Sequence, residues 1–218
     1  MLNVMRIPPY LKGTLSGSGW LVFALLVVTL LSACSNSPPR NPGNSCEVFD
    51  QKGGWYKASM KSYRQWGVPI HVQLAIIYQE SAFKDDAKPP RTKLLWVIPW
   101  KRQSSAYGYG QVLDGTWDKY RKSTGHRWAD RDDFDDVVDF IGWYGATSTR
   151  ELGISKSDAY SQYLAYHEGQ VGYKKKSYRK KRWLQKVAHR VEKRAARYKL
   201  QLVGCEDELG KGWFSWLF

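Results

Sequence analysis

Cysteine and histidine are scarce in this sequence of 218 residues. Three cysteines are too few for a small domain built around disulfides, and four scattered histidines leave little material for a histidine-based site. The sequence also lacks a glycine-rich phosphate loop, a Gly-x-Ser-x-Gly nucleophile turn and the Cys/His spacing of a zinc site. These absences exclude the usual motif-defined sites of those kinds, and we expect neither a metal nor a cofactor.

Aromatic residues and positive charge, in contrast, are abundant. The 11 Trp, 14 Tyr and 7 Phe argue against intrinsic disorder over most of the chain, and the length favours one domain with a real core. The 34 Lys and Arg outnumber the 20 Asp and Glu, which gives a formal net charge of +14. Such a balance is typical of proteins that bind nucleic acids or anionic surfaces.

Before residue 40 the only charged side chains are those of Arg6 and Lys12. The apolar run from Trp20 to Leu31 is short for a membrane span, which needs roughly 20 residues. A basic start, a short apolar run and small residues after it are the parts of an export signal, although an anchor helix or a buried core helix has a similar pattern.

The end of this apolar run resembles the lipobox of bacterial lipoproteins. Its residues are Leu31-Ser32-Ala33-Cys34, followed by Ser35. The resemblance implies that residues 1–33 are a signal peptide and that Cys34 is lipidated. A residue other than Asp after the cysteine implies an outer-membrane lipoprotein facing the periplasm. Residues 34–45 are polar and rich in Pro and Ser, which predicts a flexible tether.

Lipidation of Cys34 leaves Cys46 and Cys205, one near each end of the mature chain. The periplasm permits disulfides, and a disulfide that closes so long a loop stabilises the folded state by several kcal/mol in the chain-entropy model. Two unpaired thiols are the alternative. We also expect no nucleic-acid partner, because an exported protein rarely meets nucleic acid.

Hydrophobic periodicity predicts a mainly α-helical domain over residues 46–175. Strand signals are weak, and the segment Lys84–Ser105, with three prolines and two tryptophans, is predicted to be a long loop. The predicted helices include one that starts after Val68-Pro69 and three others, at Leu113–Lys122, Asp135–Tyr144 and Lys156–Tyr166.

The C-terminal part, residues 176–218, is predicted to be a basic helix and an aromatic tail that pack on or beside this domain. The segment Lys174–Lys199 holds 13 Lys and Arg and one Glu. Its apolar residues recur every three or four positions, which predicts a long amphipathic helix. Its basic face is either a solvated surface or a contact for anionic lipids or glycans. The stripe consists of Leu184, Val187, Val191, Ala195, Tyr198 and Leu202.

Glu80 is the strongest candidate for chemistry. It lies at the end of the most apolar predicted helix, where partial burial raises the pKa of a carboxyl group and keeps it protonated near neutral pH. A protonated carboxyl can donate a proton to a leaving oxygen. The alternative is a solvated glutamate at a helix end.

The surroundings of Glu80 resemble the lytic transglycosylases with an SLT-type, lysozyme-like domain. The resemblance covers roughly residues 55–175 and implies a lysozyme-like fold. Four sequence blocks carry it, in the order that the family has: Gly67-Val68-Pro69, Glu80-Ser81-Ala82-Phe83, Ala106–Gln111 with Thr116-Trp117, and Ala165–Gly169.

The family cleaves the β-1,4 bond between N-acetylmuramic acid and N-acetylglucosamine in peptidoglycan, so peptidoglycan glycan strands are the implied partner. By resemblance, Glu80 is the only acid/base, and the product carries a 1,6-anhydro end because the muramoyl C6 hydroxyl attacks in place of water. The resemblance further implies that Ser81 and Tyr166 hold Glu80 by hydrogen bonds. It implies that Gln111 contacts the sugar and that Gly108 belongs to the same block.

Four positions depart from the family pattern. Tyr109-Gly110 replaces a Leu-Met pair, which changes the expected floor of the cleft, and His167 stands where Asn is usual. Glu168 adds a carboxylate that is either a surface residue or a base for water, which would make the protein a hydrolase. A catalytically silent peptidoglycan-binding protein of the envelope is the third possibility.

Overall fold

The computed structural model describes residues 37–94, 98–102 and 104–211. The predicted signal peptide 1–33, the predicted lipidation site Cys34, Trp96 of the predicted long loop and the predicted aromatic tail from Trp213 lie outside the described residues. Within the described ranges, no helix is both long enough and apolar enough to cross a membrane.

The described residues form a mainly helical domain with one pair of short strands. In chain order the elements are α1 (Ser45–Gln51), α2 (Trp55–Trp66), α3 (Ile70–Ser81), β1 (Arg91–Leu94), β2 (Ile98–Arg102), α4 (Asp114–Thr124), α5 (Phe134–Leu152), α6 (Ala159–Lys174), a 3₁₀ turn (Ser177–Lys180), α7 (Arg182–Val203) and α8 (Glu206–Lys211). The predicted helical fold is confirmed, and α5 and α6 both extend well beyond their predicted C-terminal ends.

Helix α3 lies at the centre of the packing. Pro69 precedes its first turn, where a proline costs no intrahelical hydrogen bond, and Ala82 ends it in the left-handed conformation. Its residues Val72, Leu74, Ala75, Ile76 and Ile77 are all at most 3% exposed. Helix α7 packs against α3 and α6, and α2 packs against α5. The C-terminal residues of α3 are therefore held from several sides.

The segment Lys84–Ser105 is not a plain loop as predicted, because β1 and β2 pair within it. The pairing is antiparallel, with Arg91 opposite Arg102 and Leu94 opposite Ile98, and its register is irregular between Arg91 and Lys93. Strands of four and five residues with a proline inside give no clean alternation of polar and apolar residues, which is why periodicity missed them.

The predicted basic helix over Lys174–Lys199 is wrong at its N-terminal end. Helix α6 continues through Lys174, and Lys176 adopts the left-handed conformation with φ of 58°, so the chain turns before α7 begins at Arg182. The predicted apolar stripe is confirmed, because Leu184, Val191, Ala195, Tyr198 and Leu202 are buried and Val187 packs against them.

The predicted flexible tether over residues 34–45 is too long. Pro39 is buried, and the backbone N–H of Arg40 donates to Gln51 Oε1 at 2.8 Å. The Tyr198 hydroxyl donates to the Pro42 carbonyl oxygen, and the Ser45 N–H donates to Gln201 Oε1 at 2.9 Å. The start of the described chain is therefore fastened to the C-terminal half of α7.

A disulfide joins the same two regions. Cys46 in α1 is bonded to Cys205, just after α7, with 6.0 Å between their Cα atoms. The two residues are 159 positions apart in the sequence. The bond closes a loop that contains nearly all of the described domain.

Candidate active site

Glu80 lies in the last turn of α3 with its side chain half-buried. Burial raises the pKa of its carboxyl group from 4.5 to about 7, although a hydrogen bond from Tyr163 acts in the opposite direction. Near neutral pH this carboxyl is populated in both its protonated and its ionised form. It can therefore donate a proton in one step and accept one in the next.

Tyr163, in α6, is the residue whose hydroxyl lies close enough to Glu80 to lower the pKa of its carboxyl group, and this residue was missed in the sequence. The two residues expected in that role have other partners. Ser81 Oγ donates to the Ile77 carbonyl oxygen at 3.3 Å, and the Tyr166 hydroxyl donates to the Gly110 carbonyl oxygen at 2.7 Å. Tyr163 precedes Tyr166 by three positions and so shares a face of the helix with it, which is the signal that could have found it.

Tyr166 lies close to Glu80 even though its hydroxyl donates its hydrogen bond to Gly110. Burial raises the pKa of its hydroxyl far above the usual value, and the charge of Glu80 and the neighbouring Tyr144 and Tyr163 raise it further. Its role in the structure is to tie α6 to the loop that contains Gly110.

That loop, residues 106–112, is held by backbone hydrogen bonds to two other segments. The Gly108 N–H donates to the Ala87 carbonyl oxygen at 3.0 Å, and the Tyr109 N–H donates to the Arg131 carbonyl oxygen at 3.1 Å. Gln111 Nε2 donates to the carbonyl oxygens of Ala87 at 2.7 Å and Gly108 at 3.0 Å. The side-chain amide of Gln111 was expected to contact sugar, but its N–H groups donate to these carbonyl oxygens and stabilise the loop.

Two positions of this loop have no room for a side chain and therefore require glycine. Gly108 has φ of +76°, and a Cβ at this position would lie 1.8 Å from the carbonyl oxygen of Arg131. A Cβ on Gly110 would lie 2.9 Å from the Tyr166 hydroxyl oxygen. The approach of Gly110 brings the loop against Tyr166 in α6, and the approach of Gly108 brings it against the segment of Arg131 that precedes α5.

Three non-glycine residues around the site have left-handed backbone conformations. Ala82 and Phe83 follow α3 directly, with φ of 53° and 63°, and Gln111 in the loop has φ of 48°. Each conformation costs free energy and persists only where surrounding contacts fix it. Phe83 is fully buried, which anchors the turn that follows Glu80.

Tyr109 does not form the floor of an open cleft. Its side chain is only 2% exposed and packs edge-on against Trp55 and Phe134, with ring centroids 5.6 and 5.7 Å away. Trp55 and Phe134 themselves stack at 3.8 Å. The Tyr109 side chain therefore supports the loop by packing beneath it and does not contact substrate.

Glu168 is neither a surface glutamate nor an available base. Its side chain is 3% exposed, and its oxygens accept hydrogen bonds from Lys181 Nζ at 2.7 Å, from Ser177 Oγ and from His167 Nδ1 at 3.1 Å. Burial alone raises the pKa of this carboxyl, but these bonds and the Lys181 charge outweigh burial and lower it. The Glu168 carboxyl group is therefore ionised, and its oxygens are engaged in hydrogen bonds.

His167 lies beside Glu168 and is exposed, with its ring centroid 5.3 Å from that of Trp183 in α7. The next residue but one, Gly169, has φ of 72° and ψ of 160°, which kinks α6 directly after the sequence block of Tyr166 and His167. Within the described part of the chain, no three His, Cys, Asp or Glu side chains converge to hold a metal ion.

The raised pKa of Glu80 predicts a pH-dependent stability. The folded state holds the Glu80 proton more tightly than the unfolded state, so the stabilisation is complete below pH 4.5 and is lost as the pH rises through about 7. A shift from 4.5 to about 7 corresponds to at most roughly 3 kcal/mol. We expect Glu80→Gln to raise the free energy of unfolding at pH 8 relative to the wild type, and to change it little at pH 4. Urea denaturation at both pH values measures this, and an equal effect at both would contradict it.

Comparison with known proteins places this arrangement in a family. A model of the family described as the transglycosylase SLT domain matches residues 22–205, which is most of the chain and includes α7. Searches of curated proteins and of solved structures gave no match. The matched range contains Glu80, the braced loop with Gly108 and the kinked helix with Tyr166. The chain therefore belongs to the transglycosylase SLT domain family.

Proposed function

We propose that this protein is a lytic transglycosylase that cleaves the bond between N-acetylmuramic acid and N-acetylglucosamine in peptidoglycan, with Glu80 as its acid and base. Membership in the transglycosylase SLT domain family supports the substrate and the reaction class. The observation that carries the role of Glu80 is its half-buried carboxyl, whose pKa of about 7 suits both proton donation and proton acceptance.

In the first step, protonated Glu80 donates its proton to the glycosidic oxygen. The bond from this oxygen to the muramoyl C1 breaks, the N-acetylglucosamine side leaves with the proton, and positive charge develops at C1. Glu80 becomes a carboxylate, which the Tyr163 hydroxyl stabilises by its hydrogen bond. The raised pKa favours this step because it keeps much of the carboxyl protonated at neutral pH, where a water-exposed glutamate is ionised.

In the second step, the Glu80 carboxylate takes the proton of the muramoyl C6 hydroxyl. The C6 oxygen bonds to C1 and closes the 1,6-anhydro ring, and Glu80 returns to its protonated form without consuming water. Glycosidases that hydrolyse this type of bond use two carboxyl groups. Glu168, the second carboxylate that the sequence suggested, has its oxygens occupied by three hydrogen bonds, which supports the non-hydrolytic course.

We also propose that lipidated Cys34 anchors the protein to the outer membrane, facing the periplasm. Because Pro39 is already packed on the domain, the tether from Cys34 spans five residues, or about 17 Å when extended. The tether leaves the domain beside α7, whose exposed surface carries Arg197, Leu200 and Val203. A short tether next to a basic helix supports contact of α7 with anionic lipids or glycans.

Mass spectrometry of the products from purified sacculi tests the proposal. We expect soluble muropeptides with 1,6-anhydro ends, which are lighter by one water than the products of hydrolysis. Reducing ends would make the protein a hydrolase, and binding to sacculi without soluble products would make it a silent binding protein. Either result would overturn the proposed reaction.

A further inference from the structure

The N-terminal end of α7 is fixed against α6 next to the candidate active site. Glu168, in α6, accepts hydrogen bonds from Ser177 in the 3₁₀ turn and from Lys181, the residue before α7. Ser177 Oγ also donates to the Gly172 carbonyl oxygen at 3.0 Å. These contacts determine where the first two turns of α7 lie relative to His167 and Tyr163.

Trp183, in the first turn of α7, is unusually exposed for a tryptophan. Its side chain is 56% exposed although tryptophan is mostly buried in folded domains, and its ring meets the His167 ring edge to face, at an interplanar angle of 77°. An exposed aromatic face beside a polar ring suits the apolar face of a sugar, because it offers a large rigid surface at little cost in conformational entropy.

Arg190 lies two helical turns after Trp183, so both residues are on one side of α7. Burial and the charge of Glu80 raise the pKa of Tyr163, and the positive charge of Arg190 acts against them. The guanidinium therefore lies within electrostatic range of the hydroxyl that contacts Glu80. Arg190 is exposed, and none of the ion pairs among the described residues includes it.

The next arginine on this side has a different environment. Arg194 lies over the Tyr78 ring at 3.6 Å from the centroid and is half-buried there, so its position is fixed by α3. Trp183 and Arg190 remain as an aromatic surface and an exposed cation on the side of α7 that borders the site.

We propose that Trp183 and Arg190 form a subsite that recognises glycan carrying peptide stems: Trp183 stacks on a sugar ring and Arg190 pairs with a carboxylate of the stem. This inference rests on the proposed function, since it concerns the substrate of the same site. It gives the basic helix a role in substrate selection, because a strand without stems keeps only the lactyl carboxylate beside its muramic acid ring and lacks the more distant stem carboxylates for Arg190.

Binding to two glycan substrates tests the subsite. All variants are made in the full chain with Glu80→Gln, so that binding is measured without cutting. The substrates are sacculi with intact stems and strands from which an amidase has removed the stems. We expect Trp183→Ala to weaken binding to both about 10-fold and Trp183→Phe to retain most of it. Arg190→Gln should weaken binding about 10-fold for stem-bearing strands only.

Arg64→Gln is the charge-matched control, because Arg64 lies in α2 near Tyr56 and Glu206, at the other end of α7. If Trp183→Ala and Arg190→Gln bind both substrates as Arg64→Gln does, the subsite is wrong. The proposed function fails separately, when the chain with Glu80 intact releases no 1,6-anhydro products. If binding still depends on Trp183 in that case, the subsite is supported and the proposed reaction is not.

Discussion

We expect replacement of Glu80 with Gln to lower the release of 1,6-anhydro-muropeptides from purified sacculi by about 1,000-fold or more. Glutamine has nearly the same shape, but it can neither give a proton to the glycosidic oxygen nor take one from the C6 hydroxyl. General acid or base catalysis contributes about 10²–10⁴ in rate, and in the proposed mechanism Glu80 serves in both steps. Soluble muropeptides counted by mass spectrometry over time measure the effect.

Two controls make this result specific. Glu208→Gln removes the same charge from an exposed position in α8 and should leave the release rate unchanged. The Glu80→Gln protein should remain folded and, at pH 8, be at least as stable as the wild type. A Glu80→Gln protein that is folded and still releases anhydro products at the normal rate would remove Glu80 from the reaction.

Removing the Cys46–Cys205 disulfide should lower the free energy of unfolding by about 5 kcal/mol in the chain-entropy model. The bond joins residues 159 positions apart, so in the chain-entropy model it restricts most of the unfolded chain. Urea denaturation of a Cys46→Ser, Cys205→Ser double variant beside the oxidised wild type measures the loss. We expect the active site to survive in the folded variant, since Ser45 and Gln201 still fasten α1 to α7.

The same prediction has a chemical control. A reducing agent should destabilise the wild type to the level of the double variant and leave the double variant unchanged. Peptide mapping without reduction should give one crosslinked peptide that contains Cys46 and Cys205. Two free thiols in the mature protein would contradict the pairing.

Much of the fold and the main site residue could be predicted from local sequence. The apolar run of α3 predicted the central helix, and the position of Glu80 at the end of that run predicted its partial burial. Both features depend on residues that are neighbours in the sequence. The stripe from Leu184 to Leu202 predicted the buried face of α7 for the same reason. The signal peptide and lipidation of Cys34 stay predictions.

The contacts of the site could not be predicted in this way. Whether Tyr163 or Tyr166 meets Glu80 depends on how α6 crosses α3, and spacing along one helix contains no such information. Glu168 is bound to Lys181 because the chain reverses at Lys176, a left-handed residue that no glycine or proline announces. Tyr109 is buried because the loop folds its side chain inward over Trp55.

The fastening of Pro42 and Cys46 to α7 has a mechanical consequence. Tension applied along the N-terminal chain passes through the hydrogen bond from Tyr198 to Pro42 and through the disulfide into the C-terminal end of α7. Helix α3 and the turn after Glu80 do not lie on this covalent route. In the proposed form, anchored at its N-terminal end, the protein can thus carry load without distorting the geometry around Glu80.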